Sequence, residues 1–391
     1  MIDDLASVAQ SGVAALQRGD PEAARAAFEQ VERAGRGTHQ LRLLLAQACM
    51  LAADGAAAHR ALDQVLTTEP TNLYALIMRG DLYRDADNPR AAVSWYQAAL
   101  AQAPRAGALP PDLLDALRRA EGAVAQAGVV FQALLDDALV DAGLGAPAPG
   151  SRLAEAMDIL AGNAEVHLQQ PTNFYYPGLA PCPFFDRETF DWVPGIEART
   201  DAIRRELEQI LADDGALSPY VKPEPDRPAK QHALLGDPAW SAFHLFQDGQ
   251  PLAEHSARCP ETMAALADLP LPRIAGRSPT AMFSVLRAGT HIPPHYGMLN
   301  TRLICHLPLI VPRDCRLRVG NVVQAVESGR MMIFDDSIQH EAWNDSDQTR
   351  VVLLFEIWRP DLDVAERQAL TVLFEAIGRF TPGGTADQAG A

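Results

Sequence analysis

Several things are scarce in this sequence, and each scarcity excludes a class of protein. Basic residues are outnumbered: 33 Lys and Arg against 50 Asp and Glu give a formal net charge of -17. A nucleic-acid partner needs a dominant basic face to meet phosphate, so that class is excluded, while a local basic pocket for a small anion is not. Cysteine is sparse: Cys49, Cys182, Cys259, Cys305 and Cys315 are an odd count, widely scattered and without C-x-x-C spacing. That pattern fits reduced thiols and argues against both a disulfide framework and a zinc-thiolate site. Long apolar runs are missing as well, none approaching the roughly 20 residues of a membrane helix. The first residues, MIDDLASVAQ, are acidic where a secretory signal would be basic. The expectation is a cytoplasmic protein without stable membrane insertion.

What is present is a globular composition, 48% hydrophobic and 21% charged over 391 residues, enough for two or three cores. Up to about residue 140 the chain is Ala- and Leu-rich with helical periodicity and almost no strand signal. Ala23-x-x-x-Ala27-Phe28, Ala57-x-x-x-Ala61-Leu62 and Ala91-x-x-x-Trp95-Tyr96 recur every 34 residues, as do Pro70 and Pro104. Gly19-Asp20-Pro21, Asp54-Gly55 and Asp87-Asn88-Pro89 are turn signals between paired helices. The period and the small contact residues resemble the tetratricopeptide repeat, and the alternative is an ordinary Ala-rich bundle. From Pro110-Pro111-Asp112 the pattern continues to about Leu144 as a capping helix pair.

Gly145 to Gly150 reads as a linker, which places a repeat domain at residues 1–144, the linker at 145–150, a second domain at 151–380 and a disordered tail at 381–391. The second domain opens on an amphipathic helix over 151–165, then an aromatic and proline-rich segment from Asn173 to Asp186 expected to be ordered. A helix is expected from Ile196 to Asp213, a proline-rich loop from Pro219 to Lys230, a strand from Trp240 to Phe246 and a short helix from Cys259 to Leu269. From Met282 the runs MFSVL, TRLICHLPLIV, CRLRV, RMMIF and RVVLLFEIW are short, β-rich and separated by turn residues, the spacing of a double-sheet barrel or jelly roll. Residues 361–378 return to helix. The fold class is thus α+β and multidomain, a helical-repeat solenoid followed by a double-stranded β-helix.

Six residues in the stretch from Phe283 to Pro360 carry the candidate chemistry: Ser284, His295, Arg302, His306, His340 and Arg350. His295 and His340 lie 45 positions apart, each beside a β-type apolar run and each followed by an arginine. Paired imidazoles at strand ends suit a non-haem iron centre, and an arginine nearby suits an anion. The usual facial triad adds a carboxylate two positions after its first histidine, and here that position is Gly297.

The strings PHYGMLNTRLICHLPL and FDDSIQHEAWNDSDQTRVVL resemble the aspartyl/asparaginyl β-hydroxylases, as do YYPGLAPCPFFD and DPAWSAFHLFQDGQ upstream, so the match covers roughly residues 170–360. The resemblance implies Fe(II), 2-oxoglutarate and O2, with 2-oxoglutarate decarboxylated to succinate as one oxygen atom enters the substrate. It implies His295 and His340 as iron ligands without a carboxylate, so Gly297 belongs to the resemblance. Arg350 matches the arginine that pairs with the distal carboxylate of 2-oxoglutarate, Ser284 the hydroxyl supporting that carboxylate, and His306 the histidine near its other end. Arg302 joins this cosubstrate-binding set. Asp336 is expected to accept a hydrogen bond behind the metal ligands. The family's R-x-R-x-H appears here as Arg302-Leu303-Ile304-Cys305-His306, with Ile304 in place of the second arginine. The implied substrate is an Asp- or Asn-type side chain of a protein or peptide, held in part by the repeats. A small molecule or lipid, and an inactive repeat adaptor, are the alternatives.

Overall fold

The computed structural model describes residues 2–213, 215–223 and 232–380. The chain divides into two units, Met1–Ala164 and Glu165–Ala391. Much of the loop expected over residues 219–230 and the tail expected over 381–391 lie outside the described residues.

The first unit is a stack of helical hairpins. α1 (Ile2–Gln17) pairs with α2 (Pro21–Arg33), α3 (His39–Leu51) with α4 (Gly55–Thr68), and α5 (Leu73–Asp85) with α6 (Pro89–Gln102). The 34-residue period has two physical roots. Asp20, Asp54 and Asn88 each cap the second helix of a hairpin, accepting from Ala23, Ala57 and Ala91 backbone N–H groups at 3.1, 2.9 and 3.1 Å. The second root is a small residue facing a large one. A Cβ on Gly12 would meet Phe28 at 2.6 Å and one on Gly80 would meet Tyr96 at 2.4 Å, and Ala46 and Leu62, both fully buried, hold the corresponding places in the middle hairpin. Close approach of paired helices therefore fixes the small residue, and the repeat resemblance holds.

Two expectations about the end of this unit change. Residues 111–141 form one helix, α7 (Pro111–Asp141), rather than a pair, because nothing between its prolines and Gly143 breaks the helix. α8 (Arg152–Ala161) packs on α7, so the boundary falls after Ala164 and not at the 145–150 linker. The expectation that no segment is long and apolar enough to cross a membrane also fails at α7, whose most apolar 18 residues have a mean hydropathy of 1.4. A search for unbroken apolar runs misses it because Ala, Gly and Gln are interspersed with its Val and Leu.

The second unit is built on two antiparallel sheets facing one another. The larger holds β1 (Phe184–Phe185), β10 (Met332–Phe334), β7 (Arg302–Ile310), β12 (Arg350–Trp358), β5 (Ala281–Leu286), β3 (Trp240–Gln247) and β2 (Ser218–Pro219) in that order, with β4 (Gln250–Pro251) beside β3. The smaller runs β6 (Thr290–His295), β11 (His340–Asn344), β8 (Cys315–Val319) and β9 (Val322–Ala325). Alternation along the large sheet sends Phe283, Val285, Leu353, Phe355, Leu303 and Cys305 to an outer apolar core, joined by Ile203, Leu207 and Ile210 of α10 (Thr200–Leu211). The shorter helices α9 (Val193–Glu197), α11 (Ala253–Ala257) and α12 (Pro260–Ala267) complete that side. Intervening residues such as Trp240, Leu286, Ile304 and Phe334 face the small sheet's Ile292, Leu317 and Ala342 across the barrel interior. α13 (Val364–Phe380) follows β12 and buries Leu370 and Phe374 against Phe174. The jelly roll is as expected. β6 was not, because Pro293 and Pro294 read as a loop, but β6 is an edge strand, where a missing donor breaks no ladder.

Candidate active site

The two histidines are brought together by strand register. His295 ends β6, His340 begins β11, and the two are direct partners in the antiparallel pairing. Their ring centroids lie 4.0 Å apart. His295 Nδ1 sits 2.8 Å from the Pro293 carbonyl and His340 Nδ1 3.0 Å from that of Ile338. A carbonyl only accepts, so both Nδ1 atoms carry the proton and donate, leaving both Nε2 lone pairs available. Burial pushes His295 down to about 4, the Pro293 carbonyl opposing it, and holds His340 well below the usual range, with the neighbouring His295 acting the same way. Both rings are neutral donors at pH 7.

Arg350 opens β12 opposite Leu286 of β5 and lines the same cavity as the histidines. It is only 3% exposed, yet its Nε and Nη2 atoms have no hydrogen-bond partner. Burial lowers it to about 10, against a smaller opposing influence of the Cys315 thiol. A buried guanidinium with unmet donors is a site for an anion. Ser284 lies on β5 and also lines the cavity, its Oγ accepting from the Trp240 indole at 3.1 Å and keeping its own proton to donate. His306 on β7 is buried edge-on to Phe334 at 5.0 Å, its Nδ1 without a partner. Burial and then Arg350 hold it well below the usual range.

Arg302 lines the same cavity, at its other end. It sits opposite Trp358 at the far end of β12 from Arg350, bonded to Glu356 and 3.7 Å from Asp336. Eight residues of extended strand separate the two positions, on the order of 25 Å along β12, so the two arginines enter the cavity from opposite ends. The reason is register, which the R-x-R-x-H string alone does not show.

Gly297 has a spatial reason for lacking a side chain. Its N–H donates to the Asp336 carbonyl at 2.6 Å, and a Cβ there would lie 2.0 Å from Asp336 Oδ2. The Asp336 carboxylate thus fills the space a residue at 297 would use. Burial raises it to about 7, with Arg302 opposing, and its Oδ1 has no partner. Neighbouring Asp335 is structural: it accepts from Gln169 Nε2 at 2.6 Å, from Arg359 Nη1 at 2.6 Å and from the Ser337 N–H at 3.0 Å. Segment 169–176 then binds the Gly297 loop, the Thr172 N–H reaching the Gly297 carbonyl at 2.9 Å and that of Phe174 the Met298 carbonyl at 3.0 Å.

Sequence reasoning missed Arg359, Gln169 and Glu356, whose roles arise only from distant pairing. It also missed the wall made by Trp240 and Tyr220, stacked with centroids 4.1 Å apart. The string DPAWSAFHLF held the only cue, a period-2 alternation that turns Trp240 and His244 to the same face as the cavity.

A jelly-roll barrel with paired imidazoles and an uncompensated guanidinium inside defines a barrel enzyme of the oxygenase class. Residues 197–360 match the family model described as aspartyl/asparaginyl beta-hydroxylase. The chain is 33% identical over 242 residues to the ornithine lipid ester-linked acyl 2-hydroxylase of Rhizobium tropici, covering 57% of this chain and 83% of that protein. It is 32% identical to aspartate beta-hydroxylase domain-containing protein 2 of Homo sapiens, over 54% of this chain and 57% of that one. Identity to the human aspartyl/asparaginyl beta-hydroxylase is 33% over 34% of this chain, a match spanning 18% of that longer protein. The chain belongs to the aspartyl/asparaginyl β-hydroxylase family and is a hydroxylase.

Proposed function

We propose that the enzyme is an Fe(II)- and 2-oxoglutarate-dependent dioxygenase. The observation that carries this reading is the pairing, in one cavity, of two neutral imidazoles whose Nε2 atoms are free with a buried guanidinium whose donors are unmet. These residues fit the group: imidazole nitrogen is a suitable iron donor, and a planar guanidinium takes a carboxylate through two parallel hydrogen bonds. When bound, iron with 2-oxoglutarate and dioxygen supplies the oxidation that yields succinate, carbon dioxide and a hydroxylated substrate.

The chain's residues do the positioning. His295 and His340 hold the metal with tautomers fixed by backbone carbonyls. Arg350 binds the distal carboxylate of the cosubstrate, and Ser284 donates its hydroxyl proton to it. Asp336, which lines the cavity against Gly297, would orient a group bound beside the two histidines. Trp240, Phe334 and Ile292 keep bulk water from the cavity.

A specific observation favours a lipid or small-molecule acceptor over an acidic side chain. Ile304 lines the cavity where the family pattern has its second arginine, and Arg302 is already committed to Glu356. A substrate carboxylate would meet neutralised charge there, whereas an acyl chain would meet Ile304, Leu354 and Met282. The lipid acyl substrate named for the Rhizobium tropici relative agrees with this chemistry. On this reading the repeats bind a protein that presents or carries the substrate. The complete residue set also argues against an inactive adaptor.

The test is succinate formation from 2-oxoglutarate under Fe(II) and O2, with acyl-lipid and aspartyl-peptide pools, for the wild type and His340→Ala. Turnover with the lipid pool that falls about a hundredfold or more in the variant, as expected on losing a metal ligand, supports the proposal. Failure of the wild type to bind 2-oxoglutarate at all overturns it and restores the adaptor reading.

A further inference from the structure

α7 is anomalous for the helix that ends a repeat stack, since such end helices ordinarily turn a polar face outward. It runs 31 residues against 14 for α6, on which only its first turns are seated, through Leu113, Leu117 and Ala120. Farther along, α8 covers one side, where a Cβ on Gly128 would lie 3.0 Å from the Ala161 carbonyl oxygen. The opposite side is bare: Val129, Val130 and Leu134 are 61%, 61% and 62% exposed, and Val140 is 58% exposed.

The arrangement of charge on that side identifies its occupant. Asp136 lies 18 residues after Arg118, and Asp137 18 after Arg119, five full turns of an α-helix, so both pairs lie on the outer face together with Gly122, Val129 and Ala133. The pattern is self-complementary under reversal. A second α7 laid antiparallel across the first sets Arg118 against Asp137 and Arg119 against Asp136, twice over, as a two-fold contact requires. It also places Gly122 opposite Ala133, letting the backbones approach where Val129 and Val130 pack at the centre.

We propose that this face of α7 is a homodimer interface between two copies of the chain. The central valines and Leu134 supply the burial, and the terminal charges set direction and register, the usual division between apolar and charged groups at an interface. Among the described residues Arg118 is bonded only to exposed Asp115 one turn earlier, a local pair weak enough to be shared with a partner's Asp137. A bilayer is the less suitable occupant: Asp136, Asp137 and Asp141 crowd one end, where an anionic surface would repel them, and α8, which packs on α7, bears Arg152, Glu155 and Asp158.

The test is sedimentation equilibrium of the full chain and its variants at micromolar concentration, with succinate turnover and far-UV circular dichroism as controls for folding. The wild type is expected to dimerise. Val129→Asp with Val130→Asp is expected to be monomeric, and Arg118→Asp with Arg119→Asp, or Asp136→Arg with Asp137→Arg, to weaken the dimer on the order of tenfold or more. Mixing the two charge-reversed proteins is expected to restore a mixed dimer of wild-type affinity. A monomeric wild type overturns the proposal, as does a mixture that stays monomeric. Co-flotation of the wild type with phosphatidylglycerol vesicles that is lost in the valine variant, without dimerisation, assigns the face to membrane instead and equally overturns it.

Discussion

Replacing Arg350 with methionine separates two roles that most substitutions confound, because stability and ligand binding are expected to move in opposite directions. The guanidinium is held at about 10, below its ordinary value, burial being the main cause. A folded-state value below the unfolded one means that the charged form destabilises the fold. The cost is fully present below about 10 and disappears only as pH rises past the ordinary guanidinium value, so it applies throughout the assay range. Its size at pH 7 is roughly 3 kcal/mol. Methionine keeps most of the aliphatic stem and removes the charge. Without cosubstrate or metal, Arg350→Met is therefore expected to unfold roughly 6–10 °C higher than the wild type. With Fe(II) under nitrogen and 2-oxoglutarate at a hundred times its dissociation constant, the wild type gains about 2.7 kcal/mol, and the variant gains none. Differential scanning calorimetry of both proteins with and without 2-oxoglutarate measures all four values. A variant that melts below the wild type in the absence of ligand and is still stabilised by 2-oxoglutarate refutes the argument, since Arg350 would then be neither strained by burial nor the anion's partner.

Two further outcomes follow from the same geometry. Gly297→Ala places a Cβ 2.0 Å from Asp336 Oδ2, so the carboxylate must move; a loss of about 1–3 kcal/mol by chemical denaturation and a large loss of turnover are expected, and unaltered turnover would show that Asp336 has no part in the site. Ile304→Arg adds a cation beside Glu356, its neighbour across the β7–β12 ladder, and is expected to shift the ratio of kcat/KM toward an aspartyl peptide and away from an acyl lipid by about tenfold or more, measured by competition between the two acceptors; an unchanged ratio would mean that position 304 does not face the acceptor.

What the sequence determined by itself is what local chemistry dictates. The 34-residue period is legible because each hairpin repeats one cap and one small-to-large contact within itself, as Asp54 with Ala57 and Gly80 with Tyr96 show. The main strands are legible because alternation is a property of consecutive residues, and His295, His340 and Arg350 stand out because their residue types are costly to bury without a purpose. Tertiary structure decided the rest, through pairings between residues far apart in the chain. The β6–β11 register sets His295 against His340, a proline-bearing edge strand replaces the expected loop, and the β7–β12 register carries Arg302 to Glu356 and away from Arg350. Asp336 enters the space at Gly297 only because two remote loops meet. The length of α7 and its bare outer face likewise depend on where α6 and α8 stop covering it, which no window of sequence contains.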